Sequence, residues 1–342
     1  MTQSGQTGRT FVGREREMAG LRAAMDEAIK GHGRVVMLAG EPGIGKTRMA
    51  QELASYAQEH GSQVLWGWCY EGEGAPSYWP WVDSLRTHFQ GAEPQLLRDQ
   101  LGSGAAPIAE LIPEILAIYD GLESAPTMEP DQARFRLFDS ITGFFKRASE
   151  DSPVLLVLDD LHWADQPSLL LLEFVARQVD SSRFMIVGTY RDSEAPPESL
   201  LGQSLGRLAR LKSFQRQQIT GLSSEDVGSF VRGETGITPP GQILNAIHAH
   251  TEGNPFFLGE VARYLAELGR LDETLDRSGD VEHVGALGIP PNVRDVIGQR
   301  LKRLTEPCIR ALTTASVIGR EFELGLLEAL TEPAGAEELL DL

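Results

Sequence analysis

The 342-residue chain carries 31 Lys and Arg against 49 Asp and Glu, a net charge of −18, with 41% apolar and 23% charged residues. That length allows two or three domains with cores of their own, and 36 Gly with 19 Pro fall short of a low-complexity composition. Two cysteines, Cys69 and Cys308, exclude a disulfide framework, and neither has metal-ligand spacing to a second Cys or His.

No apolar run reaches the roughly 18 residues of a membrane span, and Met1 to Arg9 is polar without a signal-peptide core, so a soluble, cytoplasmic chain with no membrane partner is expected. The negative charge opposes non-specific nucleic-acid binding. Charge is uneven. Gln90 to Gln132 is acid-rich, whereas Ser199 to Ser224 holds Arg207, Arg210, Lys212 and Arg216 with no acid; both read as solvated surface.

Val35 to Ala39 is a short β-branched run ending at Gly40, the pattern of a buried strand, and Lys46 to His60 follows with Met49, Ala50, Leu53, Ala54 and Ala57 on one helical face. Gln63 to Trp68 predicts a second strand, followed by a long mixed region. Phe135 to Ala148 predicts a helix, Pro153 to Leu158 a strand, Leu169 to Val179 a helix, Arg183 to Tyr190 a strand and Phe214 to Thr220 the last strand. Strands spaced by helices imply parallel pairing, hence an α/β domain over residues 1–220. Strand signals then vanish. Ser223 with Asp226 opens a helical stretch at Glu225 to Arg232, with others at Pro240 to His250 and Pro255 to Leu268, giving a small helical domain over 221–285. Asp272 to Pro291 reads as a linker. A third unit over 286–342 opens with helices near Val293 to Arg303 and Pro307 to Val317, and Ala336 to Leu342 reads as a helix still in progress, so the chain is expected to be a fragment.

Gly40-Glu-Pro-Gly-Ile-Gly-Lys46-Thr47 meets every specified position of a phosphate-binding loop. Glycines let backbone N–H groups turn toward α and β phosphates, and the helix that follows adds its positive end. The nucleotide-binding segment is therefore expected to comprise Gly40, Glu41, Pro42, Gly43, Ile44, Gly45, Lys46, Thr47 and Arg48. Lys46 would neutralise the β and γ oxygens, and the Thr47 hydroxyl would ligate Mg²⁺. Val154-Leu-Leu-Val-Leu-Asp159-Asp160 delivers Asp159 at a strand tip, where it would hold the same Mg²⁺ through its water shell. Asp160 is the candidate to orient the attacking water; it is one methylene shorter than Glu, which predicts slow turnover. Arg191, after Phe184 to Tyr190, ends a strand on the same sheet edge. Its guanidinium would sense a γ-phosphate or, alternatively, pair with Asp192 or Glu194. His162 reads as a packing residue. Trp66, Trp68, Trp79 and Trp81 read as packing between elements.

Phe11-Val-Gly-Arg-Glu-Arg-Glu17, the phosphate loop, Leu158-Asp-Asp-Leu-His-Trp-Ala-Asp165, Gly188-Thr-Tyr-Arg191 and Glu252-Gly-Asn-Pro-Phe-Phe257 together resemble the STAND signal-transduction ATPases of the AAA-related P-loop class. The nearest likeness is to the bacterial origin-recognition-like ATPase module of large ATP-binding LuxR-type regulators and of cyclase-associated ATPases, over about residues 10–330. The resemblance implies that Val12, Gly13 and Arg14 contact the adenine and ribose side, that Pro255 closes over the base, and that the third unit begins a winged-helix domain. That family's His reaching the ADP β-phosphate has no match before Leu342, and no output domain is present. The absence of a guanine-reading signature also favours adenine.

The function expected is an ATP-binding, slowly hydrolysing switch, closed with ADP and opening for self-association with ATP and Mg²⁺. The rival is an ATP-dependent DNA loader of the origin-recognition type using Arg207 to Arg216 with Arg300, Lys302 and Arg303, which the net charge opposes. A small-molecule kinase would need a lid or acceptor motif, and none is recognisable.

Overall fold

The computed structural model describes residues 11–71, 76–117, 122, 128–271 and 306–318, with Leu327 and Leu330. The described residues divide into two compact units, one spanning Val12–Gly221 and the other beginning at Leu222.

The first unit is built on β1 (Arg34–Ala39), β2 (Gln63–Trp68), β3 (Val154–Asp159), β4 (Phe184–Tyr190) and β5 (Phe214–Gln218), paired in the order β2-β3-β4-β1-β5. Every pairing is parallel. The inner strands are continuous apolar runs because both sheet faces are covered. Val35, Met37 and Ala39 join a cluster with Trp81, Phe144 and Phe145, while the alternating Val36 and Leu38 are equally buried. Removing each Val, Leu, Met or Phe among them from water contributes about 1.5–3 kcal/mol.

Helices flank this sheet: α1 (Glu15–Ile29), α2 (Lys46–Glu59), α3 (Trp79–Gly91), α4 (Pro94–Leu101), α5 (Ala105–Ala109), α6 (Pro130–Asp151), α7 (Gln166–Ala176) and α8 (Leu200–Leu208). A five-stranded parallel sheet with flanking helices and a helical region after it is the architecture of a P-loop nucleoside-triphosphatase, the fold class expected.

The sequence reading missed α1 and α8, and left α3, α4 and α5 inside one mixed region. The helix expected from Leu169 starts instead at Gln166, because the Asp165 carboxylate accepts the Ser168 N–H and caps the first turn. Val179 belongs to the short turn after that helix. The helix expected from Phe135 starts at Pro130, whose fixed φ suits a first helical position.

The register aligns the strand tips. Ala39 lies opposite Tyr190, Leu158 opposite Gly188 and Trp68 opposite Asp159. At Gly188 a Cβ would stand 2.4 Å from Met37 Sδ and 2.5 Å from a Leu161 methyl, so glycine lets these two side chains meet over β4 without either having to shift.

The second unit holds α9 (Ser224–Thr235), α10 (Gly241–Thr251) and α11 (Pro255–Glu267). Ser223 and Asn254 cap α9 and α11, accepting the N–H groups of Asp226 and Phe256 at 3.2 and 3.1 Å. The Leu222 N–H donates to Gly253 O at 2.7 Å, tying the start of the unit to the turn before α11. Of the third unit expected from the sequence, the helix Glu306–Ile318 is described. The polar start Met1 to Arg9, the linker Asp272 to Pro291, the helix at Val293 to Arg303 with Arg300, Lys302 and Arg303, and the stretch Ala336 to Leu342 lie outside the described residues.

Candidate nucleotide site

The loop between β1 and α2 turns on Gly40, Gly43 and Gly45, with φ of 157°, 75° and 102°. At Gly43 and Gly45 an L side chain would be strained by the left-handed backbone; at Gly40 a Cβ would also strike Ile219 O at 2.5 Å. Gly45 is the N-cap of α2 and offers no capping side chain, so the first N–H groups of this 14-residue helix face the loop without a side-chain acceptor.

Lys46 folds back from the helix into that loop. Its Nζ donates to Gly40 O at 3.1 Å and Glu41 O at 2.9 Å, and the residue is buried. Burial pulls its pKa below 10.5, while the nearby Asp160 and Asp159 carboxylates oppose the shift by favouring the ammonium. Asp159 is 1% exposed, a buried carboxylate that needs donors. The Thr47 hydroxyl lies 3.0 and 3.2 Å from its two oxygens. Thr189, on β4 between the loop strand and β3, donates its hydroxyl to Asp159 Oδ1 and accepts the Asp160 N–H at 2.9 Å.

The structure thus brings Lys46, Thr47, Asp159 and Asp160 into one pocket, with Thr189 as a connector to which the sequence reading gave no role. The signal was available: a threonine in a strand otherwise buried and apolar must find a polar partner.

Asp160 itself adopts the left-handed region, φ 58° and ψ 45°, which turns its side chain out of the strand direction toward the loop's lysine and His162. His162 follows with its side chain fully buried, Nδ1 3.9 Å from Asp160 Oδ1 and Nε2 3.6 Å from Glu194 Oε2. Neither ring nitrogen has a hydrogen-bond partner. Burial lowers its pKa below 6.5, partly offset by those two carboxylates. His162 also packs against Trp163, with ring centroids 5.2 Å apart.

Arg191 follows Tyr190, the partner of Ala39, so it emerges beside the first residue of the phosphate loop. Its Nη1 donates to Glu194 Oε1 at 2.7 Å, and its guanidinium lies 6.0 Å from the Trp163 ring. Of the two partners weighed for Arg191, a phosphate and a neighbouring acid, the structure displays the acid. Asp192 is engaged elsewhere, accepting from Arg216 at 2.8 Å.

Arg14 is 4% exposed and sends Nη2 to Ile44 O at 3.1 Å and Thr220 O at 2.7 Å. These contacts brace the phosphate loop against the chain after β5. Val12 and Gly13 lie just before it, half-buried; Glu41, Pro42 and Gly43 are exposed, and Ile44 is buried. Arg48 pairs with Glu52 at 2.7 Å on the surface of α2. Pro255 occupies the first turn of α11 in the second unit and is described there alone.

The pocket's chemistry fits a nucleotide phosphate chain with Mg²⁺. An uncapped helix start meets a buried ammonium, and a hydroxyl and a carboxylate within 3.2 Å offer hard oxygen ligands at one point. Among the described residues no three His, Cys, Asp or Glu side chains gather to hold a metal alone, so phosphate and water would complete such an ion's shell.

Trp81 is fully buried, its indole N–H donating to Ser168 O at 3.2 Å, whereas Trp66 and Trp68 stack at 5.4 Å, half-buried on the edge strand. Burial raises the Cys69 thiol pKa, so it is not a poised nucleophile. Among the described residues no helix is long and apolar enough to cross a membrane.

Comparison with known proteins matches residues 10–187 to the family described as AAA ATPase domain. An uncharacterized protein of Rhizobium meliloti (strain 1021) is 23% identical over 352 residues, covering 98% of this chain and 32% of that protein. The structure is similar to the crystal structure of a Signal Transduction ATPase with Numerous Domains (STAND) protein with a tetratricopeptide repeat sensor from Pyrococcus horikoshii, with a TM-score of 0.53 and 17% identity over 94% of this chain and 37% of that one. Cdc6p from Pyrobaculum aerophilum superposes with a TM-score of 0.46 and 14% identity, over 79% of this chain and 66% of that one. The chain spans about a third of the length of the Rhizobium and STAND proteins. With just over half of its residues matched by that family, the chain belongs to the AAA ATPase domain family.

Proposed function

We propose that this chain is the ATP-binding, slowly hydrolysing part of a nucleotide-operated switch in a larger STAND-type signalling or transcription regulator. The observation that carries the reading is the Thr47–Asp159 contact of 3.0 Å beside the uncapped start of α2 and the buried Lys46. Mg²⁺ would supply charge neutralisation for the phosphates there. Lys46 would give up its two loop carbonyls for β and γ oxygens. Thr47 would turn its hydroxyl oxygen to the metal, leaving Asp159 held by Thr189. Asp160 would orient the attacking water and accept its proton.

The finer assignments rest on the resemblance: Val12, Gly13 and Arg14 beside adenine, Pro255 over the base, ADP for the closed form and ATP for self-association. Arg14 is so occupied with Ile44 and Thr220 that its part in binding would be to hold the loop's shape. Moving such a switch from 1:99 to 99:1 takes about 5.5 kcal/mol of preference for one nucleotide, within reach of several charge-assisted contacts. The DNA-loader reading finds less support, because Arg207 is paired with Glu173 at 2.6 Å and Arg216 with Asp192 at 2.8 Å.

Calorimetric titration of Lys46→Ala with ATP and with ADP tests the site. Loss of both affinities is expected, and undiminished ATP binding by a folded variant overturns the assignment. Gel filtration of the wild type with each nucleotide tests the switch; identical elution at every protein concentration would remove self-association from it.

A further inference from the structure

We propose that Glu194 sets the preference of this site for a triphosphate over a diphosphate, by competing with the γ-phosphate for Arg191. The inference rests on the nucleotide-site reading above and concerns a residue to which that reading gives no role.

Three observations carry it. First, the register puts Arg191 next to Gly40, and its positive charge reaches the Lys46 ammonium, so the guanidinium stands within electrostatic range of the phosphate loop. Second, Nη1 of that guanidinium is already given to Glu194 at 2.7 Å, in a short turn three residues long, and the two side chains are only 20% and 33% exposed. A guanidinium binds carboxylate and phosphate oxygens with the same donors, so an anion of higher charge can draw it away from Glu194. A γ-phosphate, with more charge and three oxygens, is such an anion, whereas a diphosphate ends one group short of it.

Third, the acid has a second partner at hand. Glu194 Oε2 lies 3.6 Å from Nε2 of the fully buried His162, whose ring nitrogens have no hydrogen-bond partner. A carboxylate released by Arg191 would close that gap and satisfy a buried donor that is now unmatched. The other nitrogen of the same ring is 3.9 Å from Asp160 Oδ1, so the exchange at Arg191 would take place beside the acid to which the proposed function gives the water. Glu194 is a positioning residue in this scheme. It touches no phosphate, and it sets how much of the γ-phosphate's attraction is spent on freeing Arg191.

The test is the ratio of affinities for a non-hydrolysable ATP analogue and for ADP, each with Mg²⁺, by isothermal titration. Removing the competitor with Glu194→Gln should tighten the triphosphate by about two- to fivefold, the size of a partly exposed ion pair, and leave ADP unchanged. In an Arg191→Ala background the same substitution should change neither affinity, because the coupling requires both residues. Glu194→Asp, which keeps the charge and shortens the reach, should move the ratio in the same direction by less, and serves if the glutamine variant does not fold.

A folded variant with an unchanged ratio, an equal shift for both nucleotides, or a gain that persists without Arg191 overturns the proposal. Lys46→Ala separates the two readings. If it loses both nucleotides while the Glu194 variants leave the ratio flat, the competition alone is wrong. If it retains both, the nucleotide site fails and the competition fails with it.

Discussion

Two groups of polar side chains, one near the strand starts and one near the strand tips, are satisfied to different degrees. At the strand starts, Gln63 on β2 donates to His88 Nδ1, His88 Nε2 meets Gln100 Oε1 at 2.7 Å, and the Gln100 amide donates to Asp151 at 2.9 Å. The buried His88 and Gln100 are both partnered inside the protein, even though they border a cavity of 340 Å³ lined by Val64, Leu96 and Asp151. At the strand tips, Lys46 spends its charge on carbonyls, and His162 and the Trp163 indole N–H have no hydrogen-bond partner. A buried polar group satisfied internally holds a fold together. One left unmatched is a cost that an incoming group can repay.

That contrast is sharpest in the rate against the stability of single variants. Asp160→Asn should lower ATP turnover by about 10²–10⁴-fold, because the amide cannot accept the water's proton, with nucleotide affinity kept; steady-state hydrolysis beside titration measures both. Unchanged turnover would remove Asp160 from the chemistry. Gln100→Ala should do the reverse. It strands the buried His88, costing about 1–3 kcal/mol, while the exposed Asp151 carboxylate turns to water, with no change in nucleotide affinity, as chemical denaturation and titration would show. If it weakens ATP binding while stability holds, the satisfied end is not merely structural.

Thr189→Val lies between these extremes. It removes the donor to Asp159 and the acceptor of the Asp160 N–H, so a loss of roughly 1–3 kcal/mol should come together with slower hydrolysis.

The smallest effect concerns pH. Burial lowers the His88 pKa beneath its ordinary 6.5, with the Gln100 hydrogen bond and Asp151 only partly offsetting it. The unfolded chain therefore takes up the proton first. Stability from this group is complete above 6.5 and falls as the solution is acidified below that value, by at most about 1.4 kcal/mol per pH unit until the folded imidazole also titrates. Denaturation midpoints at pH 7 and 5.5 should show the drop, and His88→Gln, which cannot titrate, should flatten it.

Much of the site was legible from sequence because its spacing is local. The phosphate loop, the apolar run that ends at Asp159 and the strand before Arg191 are each contiguous, and their residues meet because parallel strands present all their tips on one edge. What was not legible depends on distant chain. Arg14 finds acceptors 30 and 206 residues away. No spacing announces such a contact; the resemblance implied only that Arg14, with Val12 and Gly13, lies on the adenine and ribose side. For Arg191 the sequence left phosphate and acid open, since both partners suit a guanidinium and the choice is one of geometry. Among the helices, α1 places Met18, Leu21, Met25 and Ala28 on one buried face, a pattern visible in retrospect but diluted by acidic and small residues. The short α4 and α5 lie in Pro- and Gly-containing chain, where local preference is weak and packing against α6 decides.

The backbone at Asp160 has a bearing on how fast such a protein can be made to keep time. At φ 58° the Cβ of any L residue crowds the carbonyl that follows, and aspartate is favoured there because its short polar side chain can hydrogen-bond locally. Lengthening it to glutamate, the obvious route to a better-reached water, would give up that local advantage, a modest cost since Glu252 holds a φ of 50° in the same chain. If Asp160 orients the water, the tempo of hydrolysis would depend on this corner of the main chain as well as on the reach of the carboxylate it carries.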